Sequence, residues 1–371
     1  MIWRNTFFKH TIAVICLVNV VGILLFVNFL FDSNFFNTKM KASKNIPFDN
    51  YMPVLENKHR KNYALPVQKQ KEADMPYLPG IPPVPDYSSS DIISPVEEKI
   101  VKHFLQYKPM KYQEKVLILT PIHNVANLLI RFSNLLKSLT YPHDLISIAF
   151  GEDCSGDSTL SVAQSIALDL EKSFRSVKVF HFNLTGQIKG AWNDIHNQFL
   201  QLPRRKHLAE SRNLLLKSGL RDEDWVLWID SDISFLPPDI IQHLLSSDKD
   251  IVVPSCVYQD NNNKRVYDKN TWRETELSMN KQKELEENEL MLEGYGRITR
   301  LYLSDLRAEG RVVPIDGVGG CTLLINADLH RKGLNFPETV IDHHIETEGL
   351  AKMAKRMGFG VYGMPFVEVF H

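Results

Sequence analysis

An alternation of short apolar runs with longer amphipathic segments, between residues 115 and 229, restricts the possible folds of this chain more than any other feature. The amphipathic segments have helical spacing, and they separate apolar runs with the composition of buried strands at 115–120, 146–150, 177–182 and 225–229. Parallel neighbours in a sheet need a helix-length crossover, whereas antiparallel neighbours need only a tight turn. The alternation therefore predicts an α/β fold with a mostly parallel central sheet and helices on both faces.

Two carboxylates follow the fourth apolar run, where the predicted strand ends. Asp230 and Asp232 are separated by one residue, so their side chains point the same way if the chain stays extended. The carboxyl ends of strands in an open α/β sheet are the usual place for a ligand. Paired oxygens suit hard divalent cations, which in turn neutralise phosphates. The alternative is that the two acids only close a strand and begin a turn.

A second acidic pair, Glu152 and Asp153, ends the second apolar run. At this edge of the sheet a carboxylate can reach a nucleotide base or a ribose hydroxyl. A capped turn before Gly156 explains the pair equally well. The sequence therefore makes both acids candidates for nucleotide binding without deciding between the two interpretations.

Residues 11–31 form 21 consecutive positions without a charged side chain. At about 1.5 Å per residue, this run is long enough to cross a hydrocarbon core of about 30 Å. A cleavable signal peptide has a shorter apolar region that ends in a small-residue cleavage site, so we predict an uncleaved anchor. The chain then divides into a tail at 1–10, a transmembrane span at 11–31, a proline-rich stem at 32–112 and a folded body at 113–371.

Charge and cysteine content exclude some classes of protein and leave other questions open. The formal net charge of −1 gives no support to nucleic-acid binding, which usually requires a basic surface. Basic residues flank the span on both sides, so they do not decide its orientation. Cys16 lies within the span, and the three remaining cysteines allow at most one disulfide among themselves. Asn183 begins an N-x-S/T acceptor site, which is usable only if the body is lumenal.

Several longer motifs resemble those of the fungal mannan polymerase subunits, which are Golgi mannosyltransferases with a GT-A nucleotide-diphospho-sugar fold. The motifs cover most of the predicted body and lie at 116–121, 134–142, 209–215, 225–232, 267–272, 292–295, 316–320, 345–356 and 369–371. The resemblance implies a single-pass type II protein of the Golgi membrane, or of the endoplasmic reticulum, with a lumenal catalytic body. It thereby settles the orientation that charge leaves open, and it implies a hetero-oligomer with related subunits.

The resemblance assigns a divalent cation, expected to be Mn²⁺, to Asp230, Asp232 and His371. Mixed carboxylate and imidazole ligands suit Mn²⁺ better than an all-oxygen Mg²⁺ site. A cation at this position stabilises the negative charge that develops on a departing diphosphate. Without the resemblance, His371 would be interpreted as a frayed, solvated residue.

The resemblance gives roles to Arg212 and Asp268, and the residues around Asp316 and Glu346 make those two acids further candidates. Arg212 would contact the diphosphate, Asp268 would bind donor or acceptor, Asp316 would bind hydroxyls of the transferred sugar, and Glu346 would bind acceptor hydroxyls. From the residues alone, Arg212 would be a surface arginine and Asp268 a loop acid. Asp316 would begin a simple turn, although the glycines that follow it permit close backbone approach and positive φ.

These motifs imply an α-mannosyltransferase that uses GDP-mannose and a divalent cation. Its expected product is a mannan or N-glycan outer chain, extended in α-1,6 linkage with retention of configuration, and the preference for GDP rests on the resemblance alone. One alternative is a structural or regulatory subunit of such a complex without activity of its own. A kinase or nucleotidyltransferase would use a similar metal pair, but the sequence contains neither a P-loop nor a G-x-G-x-x-G motif.

Overall fold

The computed structural model describes residues 113–184, 198–261, 263–291 and 299–371. The predicted tail, membrane span and stem lie outside these residues, as does the motif at 292–295. Within the described ranges, no helix is both long enough and apolar enough to cross a membrane. The division of the chain into tail, span and stem therefore stays a prediction.

The described residues form a nine-stranded sheet and a separate two-stranded ribbon. The strands are β1 (Val116–Ile122), β2 (Ile146–Asp153), β3 (Ser176–Phe182), β4 (Trp225–Ile229), β5 (Ile251–Asp260), β6 (Asn263–Val266), β7 (Trp272–Glu274), β8 (Arg300–Tyr302), β9 (Val313–Pro314), β10 (Thr322–Asn326) and β11 (Tyr362–Phe370). In the large sheet the order is β3-β2-β1-β4-β10-β5-β11-β9, with β6 paired to β5, and the ribbon consists of β7 and β8.

The large sheet is parallel on one side and mixed on the other. β1 pairs in parallel with β2 and β4, and β2 pairs in parallel with β3, as the alternation predicts. β10 runs antiparallel to both β4 and β5, whereas β5 and β11 are again parallel. The α/β class is confirmed, but the prediction of a mostly parallel sheet is wrong. The described residues between β5 and β10 form short strands, the short helix Glu276–Gln282 and a 3₁₀ turn, so β10 need not return in parallel.

Helices cover both faces of the sheet, as predicted. They are α1 (Ala126–Lys137), α2 (Thr159–Leu170), α3 (Gln198–Gly219), α4 (Ile240–Leu245), α5 (Glu276–Gln282), α6 (Ala327–Arg331) and α7 (Glu346–Arg356), with 3₁₀ turns at His143–Leu145 and Leu303–Glu309. Alternate residues of β1 face opposite cores: Val116 and Ile118 pack with α1, α2 and α4, whereas Leu117 and Leu119 pack with α3, α6 and α7.

Two strands differ in extent from the prediction, and both lead to the candidate site. β5 was expected at 251–253 but continues to Asp260. The strand expected at 366–370 is the second half of β11, which shifts register against β5 between Met364 and Glu368. The longer β5 provides the backbone against which the end of β11 is aligned.

A disulfide joins Cys256 in β5 to Cys321, the residue that precedes β10, across a sequence separation of 65. Cys154 keeps a free thiol, so the described cysteines form the single disulfide that their number allows. Both bonded cysteines are buried. The disulfide lies where β5 and β10 approach the acidic end of β4.

Candidate metal and nucleotide site

Asp230 and Asp232 lie at the carboxyl end of β4, as predicted. The N–H of Asp230 donates to the carbonyl oxygen of Cys321 at 3.1 Å, one residue beyond the last paired residues of β4 and β10. Arg131 Nη2 donates to the backbone oxygen of Asp232 at 3.2 Å. The backbone of both acids is therefore held by neighbouring elements, while their carboxylates stay half-buried at the edge of the sheet.

His371 follows β11 and meets Asp232 across the sheet. The N–H of His371 donates to the carbonyl oxygen of Val257 at 2.9 Å, which extends the pairing of β11 with β5. Its Nε2 lies 3.0 Å from Asp232 Oδ2, and its ring stacks on Tyr267 with centroids 3.6 Å apart. The structure thus brings into contact Asp232 and His371, two of the three residues that the resemblance assigns to one cation, and His371 is not the frayed, solvated residue of the alternative interpretation.

Asp232 and His371 are spaced as two neighbouring ligands of a divalent cation whose shell would be completed by other oxygens. In an octahedral shell with ligand distances of about 2.1 Å, neighbouring ligands are about 3 Å apart, and Asp232 Oδ2 and His371 Nε2 are 3.0 Å apart. Within the described residues, no three His, Cys, Asp or Glu side chains form a group that could hold a metal ion. A cation between Asp232 and His371 would therefore need further oxygens, from phosphate or water, to complete its shell.

The charge at Asp230 gives a second reason to expect a cation. Loss of solvent raises the pKa of Asp230 above its ordinary value; Arg212 opposes this effect, and the negative charge of Asp232 adds to it. Two neighbouring carboxylates repel each other when both are ionised. A cation between Asp230 and Asp232 would remove that repulsion and keep both side chains charged.

Arg212, from α3, connects Asp230 to a third carboxylate. Its Nη2 donates to Asp230 Oδ1 at 3.1 Å, and its Nε donates to Glu346 Oε1 at 3.0 Å. The side chain is buried rather than on the surface, and the rings of Trp228 and Phe336 lie 5.6 Å from its guanidinium carbon. Its Nη1 is buried and has no hydrogen-bond partner among the described residues. The predicted contact with a diphosphate stays a prediction, whereas the bridge between two carboxylates is present.

Glu346 begins α7 in an unusual backbone conformation. Its φ is +58°, a left-handed value that a non-glycine residue adopts only when its surroundings enforce it. Here Arg212 holds Oε1, and Thr347 Oγ1 donates to Oε2 at 2.9 Å. Because such strain is concentrated at functional sites, this conformation supports Glu346 as a candidate. Its binding of acceptor hydroxyls stays a prediction.

Glu152 and Asp153 end β2 and are both held by histidines. His181 Nδ1 lies 2.5 Å from Glu152 Oε2, and the N–H of Ser155 donates to Glu152 Oε1 at 2.6 Å. His207 Nε2 lies 2.8 Å from Asp153 Oδ2, and both acids are buried. The Ser155 contact is the capped turn that the sequence offered as an alternative. Nucleotide binding by these two acids stays a prediction.

Asp268 and Asp316 direct their carboxylates to neighbouring protein groups. Asp268 accepts from the N–H of Asn270 at 2.9 Å and from Thr271 Oγ1 at 3.0 Å. Asp316 accepts from the N–H of Glu274 at 2.7 Å and forms an ion pair with Lys355. The contacts of Asp268 hold the loop before β7, and those of Asp316 attach its loop to β7 and α7. Glu274 and Lys355 are remote from Asp316 in sequence, so no local pattern predicts their contacts with it.

The glycines that follow Asp316 permit the close approach that the sequence suggested. A Cβ atom on Gly317 would lie 2.5 Å from Trp272 Nε1, one on Gly319 would lie 1.8 Å from Asp268 Oδ2, and one on Gly320 would lie 2.3 Å from Arg212 Nη2. None of the three has a positive φ. The glycines are thus required for space beside the site and not for a left-handed turn.

A buried charge cluster beside the site was not predicted from the sequence. Glu348, which sequence reasoning would treat as a helix cap, accepts from Arg205 Nη1 at 2.8 Å and from Trp272 Nε1 at 2.7 Å, and pairs with Arg300 Nη2 at 2.8 Å. Burial alone would raise the pKa of Glu348, but Arg300 and Arg205 outweigh it and lower the pKa to about 2. The one sequence clue is the position of Glu348 two residues after Glu346 in the first turn of α7.

Comparisons with known proteins identify relatives over most of the described body. A family model described as Anp1 matches residues 99–339. The mannan polymerase II complex anp1 subunit of Schizosaccharomyces pombe is 36% identical over 276 residues, which span 70% of this chain and 64% of that protein. The mannan polymerase complex subunit mnn9 of the same organism is 34% identical, over 71% of this chain and 81% of that protein. The VAN1 subunit of the Saccharomyces cerevisiae mannan polymerase I complex is 30% identical, over 71% and 61%. The chain therefore spans less than two thirds of the first and third of these relatives.

Solved structures give more distant likenesses. The mannosyltransferase PcManGT from Pyrobaculum calidifontis, in complex with GDP-Man and Mn²⁺, is 16% identical with a TM-score of 0.42, and the match covers 74% of this chain and 63% of that one. GalNAc-T7 with UDP, GalNAc and Mn²⁺ is 12% identical with a TM-score of 0.43, covering 71% and 44%. Both likenesses are too distant to establish substrate or mechanism.

Proposed function

This chain belongs to the Anp1 family, and from that membership and the geometry of the site we propose that it is a metal-dependent α-mannosyltransferase with a GT-A fold. Its donor is GDP-mannose. Its acceptor is a mannan or an N-glycan outer chain, which it extends in α-1,6 linkage with retention of configuration. It works in a hetero-oligomer with related subunits, in keeping with the names of its relatives as mannan polymerase complex subunits.

The contact between Asp232 and His371 is the observation that carries this proposal. Their side chains approach to 3.0 Å although they lie at the ends of different strands, β4 and β11. In the proposed site Asp230, Asp232 and His371 hold Mn²⁺, which when bound neutralises the charge that develops on the leaving diphosphate.

The remaining candidate residues have proposed roles around this centre. Arg212 keeps Asp230 oriented through Nη2, and its unpartnered Nη1 is the atom suited to a phosphate oxygen. Glu346 would receive acceptor hydroxyls at the strained start of α7.

The two acids at the end of β2, Glu152 and Asp153, would bind the base or ribose of the nucleotide. Asp316 is a catalytic candidate and Asp268 a ligand-binding candidate, and their carboxylates would accept from a sugar hydroxyl in addition to their present partners. These roles extend the contacts that the structure describes and are part of the proposal.

We further propose that the body lies in the lumen of the Golgi, anchored by residues 11–31. A disulfide such as Cys256–Cys321 persists in oxidising compartments and is rare in the cytosol, which supports a lumenal body. Asn183, at the end of β3, is exposed and would then be accessible for glycosylation.

The proposal is tested by titrating Mn²⁺ into the full-length protein in the presence of GDP, and by assaying transfer from GDP-mannose and from several UDP-sugars. We expect transfer from GDP-mannose only, lost on chelation and restored by Mn²⁺. His371→Ala should weaken Mn²⁺ and GDP binding together, because the cation joins the protein to the diphosphate. His343→Asn is the matched control, since His343 is a half-buried loop histidine with a positive φ that asparagine tolerates. Identical titration curves for wild type and His371→Ala would refute the ligand assignment.

A non-catalytic subunit of a mannan polymerase complex is the second candidate function. It is favoured by one observation: Asp268 and Asp316 already direct their carboxylates to protein groups. If the chain has this role, Asp232→Ala should leave the activity of an assembled complex unchanged. A loss of complex activity in that variant would exclude it.

A further inference from the structure

Tyr267 and His371 form a parallel ring stack at the proposed metal site. The ring centroids are 3.6 Å apart and the planes differ by 10°, so nearly the whole imidazole face is covered. The edge of the same imidazole carries Nε2, which lies 3.0 Å from Asp232 Oδ2. The stack and the Asp232 contact together determine both the plane of the imidazole and the direction in which Nε2 points.

The position of Tyr267 is itself fixed by the sheet. Its N–H donates to the carbonyl oxygen of Cys256 in β5 at 3.0 Å, and the ring of Tyr258 meets it edge-on with centroids 6.3 Å apart. Its side chain nevertheless remains 41% exposed, so its removal opens no cavity in either core.

An aromatic face beside a ligating imidazole has a physical advantage. His371 follows the last residue of β11 and is only half-buried. Core packing therefore does not fix the two side-chain torsions of this histidine. Ring stacking restricts those torsions before a ligand arrives, which reduces the entropy lost on binding. A cation drawing electron density from the imidazole also makes its face more favourable to the π electrons of tyrosine. Both effects come from the ring and neither needs the hydroxyl.

We infer that Tyr267 is a positioning residue for His371, holding the imidazole plane so that Nε2 points toward Asp232 and a cation shared with it. The inference rests on the proposed function, because it presupposes that His371 binds a metal. It assigns no chemical step to Tyr267, which acts through the histidine alone. The tyrosine ring is therefore replaceable by another aromatic ring and not by an aliphatic side chain.

The test compares Tyr267→Phe, Tyr267→Leu and the control Phe359→Leu in the full-length protein. Phe359 is a half-buried aromatic residue that lies beside Lys332 and contacts neither Tyr267 nor His371 in the described contacts. Mn²⁺ affinity is measured by EPR titration with GDP present, and the nitrogen hyperfine coupling of bound Mn²⁺ is measured by pulsed EPR. We expect Tyr267→Phe and Phe359→Leu to match wild type. Tyr267→Leu should bind Mn²⁺ roughly 3- to 10-fold more weakly, from the usual strength of aromatic pairing, with reduced nitrogen coupling and an unchanged melting temperature.

Three results would overturn the inference, and they differ from one another. Wild-type affinity and coupling in Tyr267→Leu would show that the stack positions nothing, while leaving the metal site intact. Equal losses in Tyr267→Phe and Tyr267→Leu would show that the hydroxyl acts and the ring does not. Absence of nitrogen coupling in wild type itself would refute the ligand role of His371, and with it the proposed function of the site.

Discussion

Replacing Glu348 by glutamine should destabilise the protein strongly, because the change removes one charge from a buried cluster of three. The carboxylate is 2% exposed and lies 2.8 Å from both Arg205 Nη1 and Arg300 Nη2. Glutamine keeps the size of the side chain and an oxygen for Trp272 Nε1. It removes the negative charge with which the guanidinium groups of Arg205 and Arg300 pair. Breaking a buried pair in this way costs about 3–5 kcal/mol.

The pKa of Glu348 gives a second route to the same magnitude. The arginines lower it from an ordinary 4.5 to about 2, and a depression of that size corresponds to about 3 kcal/mol. Because the pKa is lowered on folding, this stabilisation is complete above about pH 4.5 and is lost as the pH falls toward 2. The two estimates agree, so the stability difference between wild type and Glu348→Gln should itself depend on pH.

Urea unfolding of the full-length protein at pH 7, 5, 4 and 3 measures this difference. Wild type should exceed Glu348→Gln by about 3–5 kcal/mol at pH 7, and the gap should narrow below pH 4.5. Glu284→Gln, which neutralises an exposed glutamate, should stay within about 0.5 kcal/mol of wild type throughout. A loss below 1 kcal/mol at pH 7, or a gap that does not change between pH 5 and 3, would refute the reasoning.

Three further predictions concern the site and its setting. Asp230→Ala and Asp232→Ala should each reduce transfer by more than about 10²-fold; the melting temperature should be unchanged in Asp232→Ala and lower in Asp230→Ala, because Asp230 is one of the two carboxylates that pair with buried Arg212, and near-normal turnover in either variant would remove that acid from the mechanism. Replacing both Cys256 and Cys321 by serine should lower the free energy of unfolding by about 4 kcal/mol, as expected for a disulfide across 65 residues; equal stability under reducing and oxidising conditions would contradict this. In sealed microsomes the body should resist added protease, and digestion without detergent would exclude a lumenal body.

Local sequence pattern was sufficient to predict the strands and helices of the parallel half of the sheet. β1, β2 and β4 are buried on nearly every residue, so their apolar runs identify them without reference to the rest of the fold. The antiparallel strand β10 has the same composition, and its direction depends on how the chain between β5 and β10 folds back. Direction in a sheet is decided by the connection, which a local apolar run does not encode.

The candidate site divides in the same way. Asp230 and Asp232 were identifiable because their spacing and the preceding strand are local features, and His371 joined them through a family resemblance. The stack of Tyr267 on His371 and the arginines around Glu348 depend on contacts between remote elements. No spacing in the sequence brings those residues together, so only the folded chain could show them.

The support of the site by backbone carbonyls explains why its variants should fall into two groups. The carbonyl oxygen of Cys321 accepts the N–H of Asp230, and that of Cys256 accepts the N–H groups of Tyr267 and Asp268. The disulfide therefore joins the two residues whose carbonyl groups hold the backbone of Asp230 and of Tyr267. Carboxylates and rings that project from these points can be removed without disturbing the strands beneath them. Loss of the disulfide instead frees the strands themselves. Changes at Asp232 or Tyr267 should therefore alter metal binding at constant stability, whereas the paired cysteine change should reduce stability and metal affinity together.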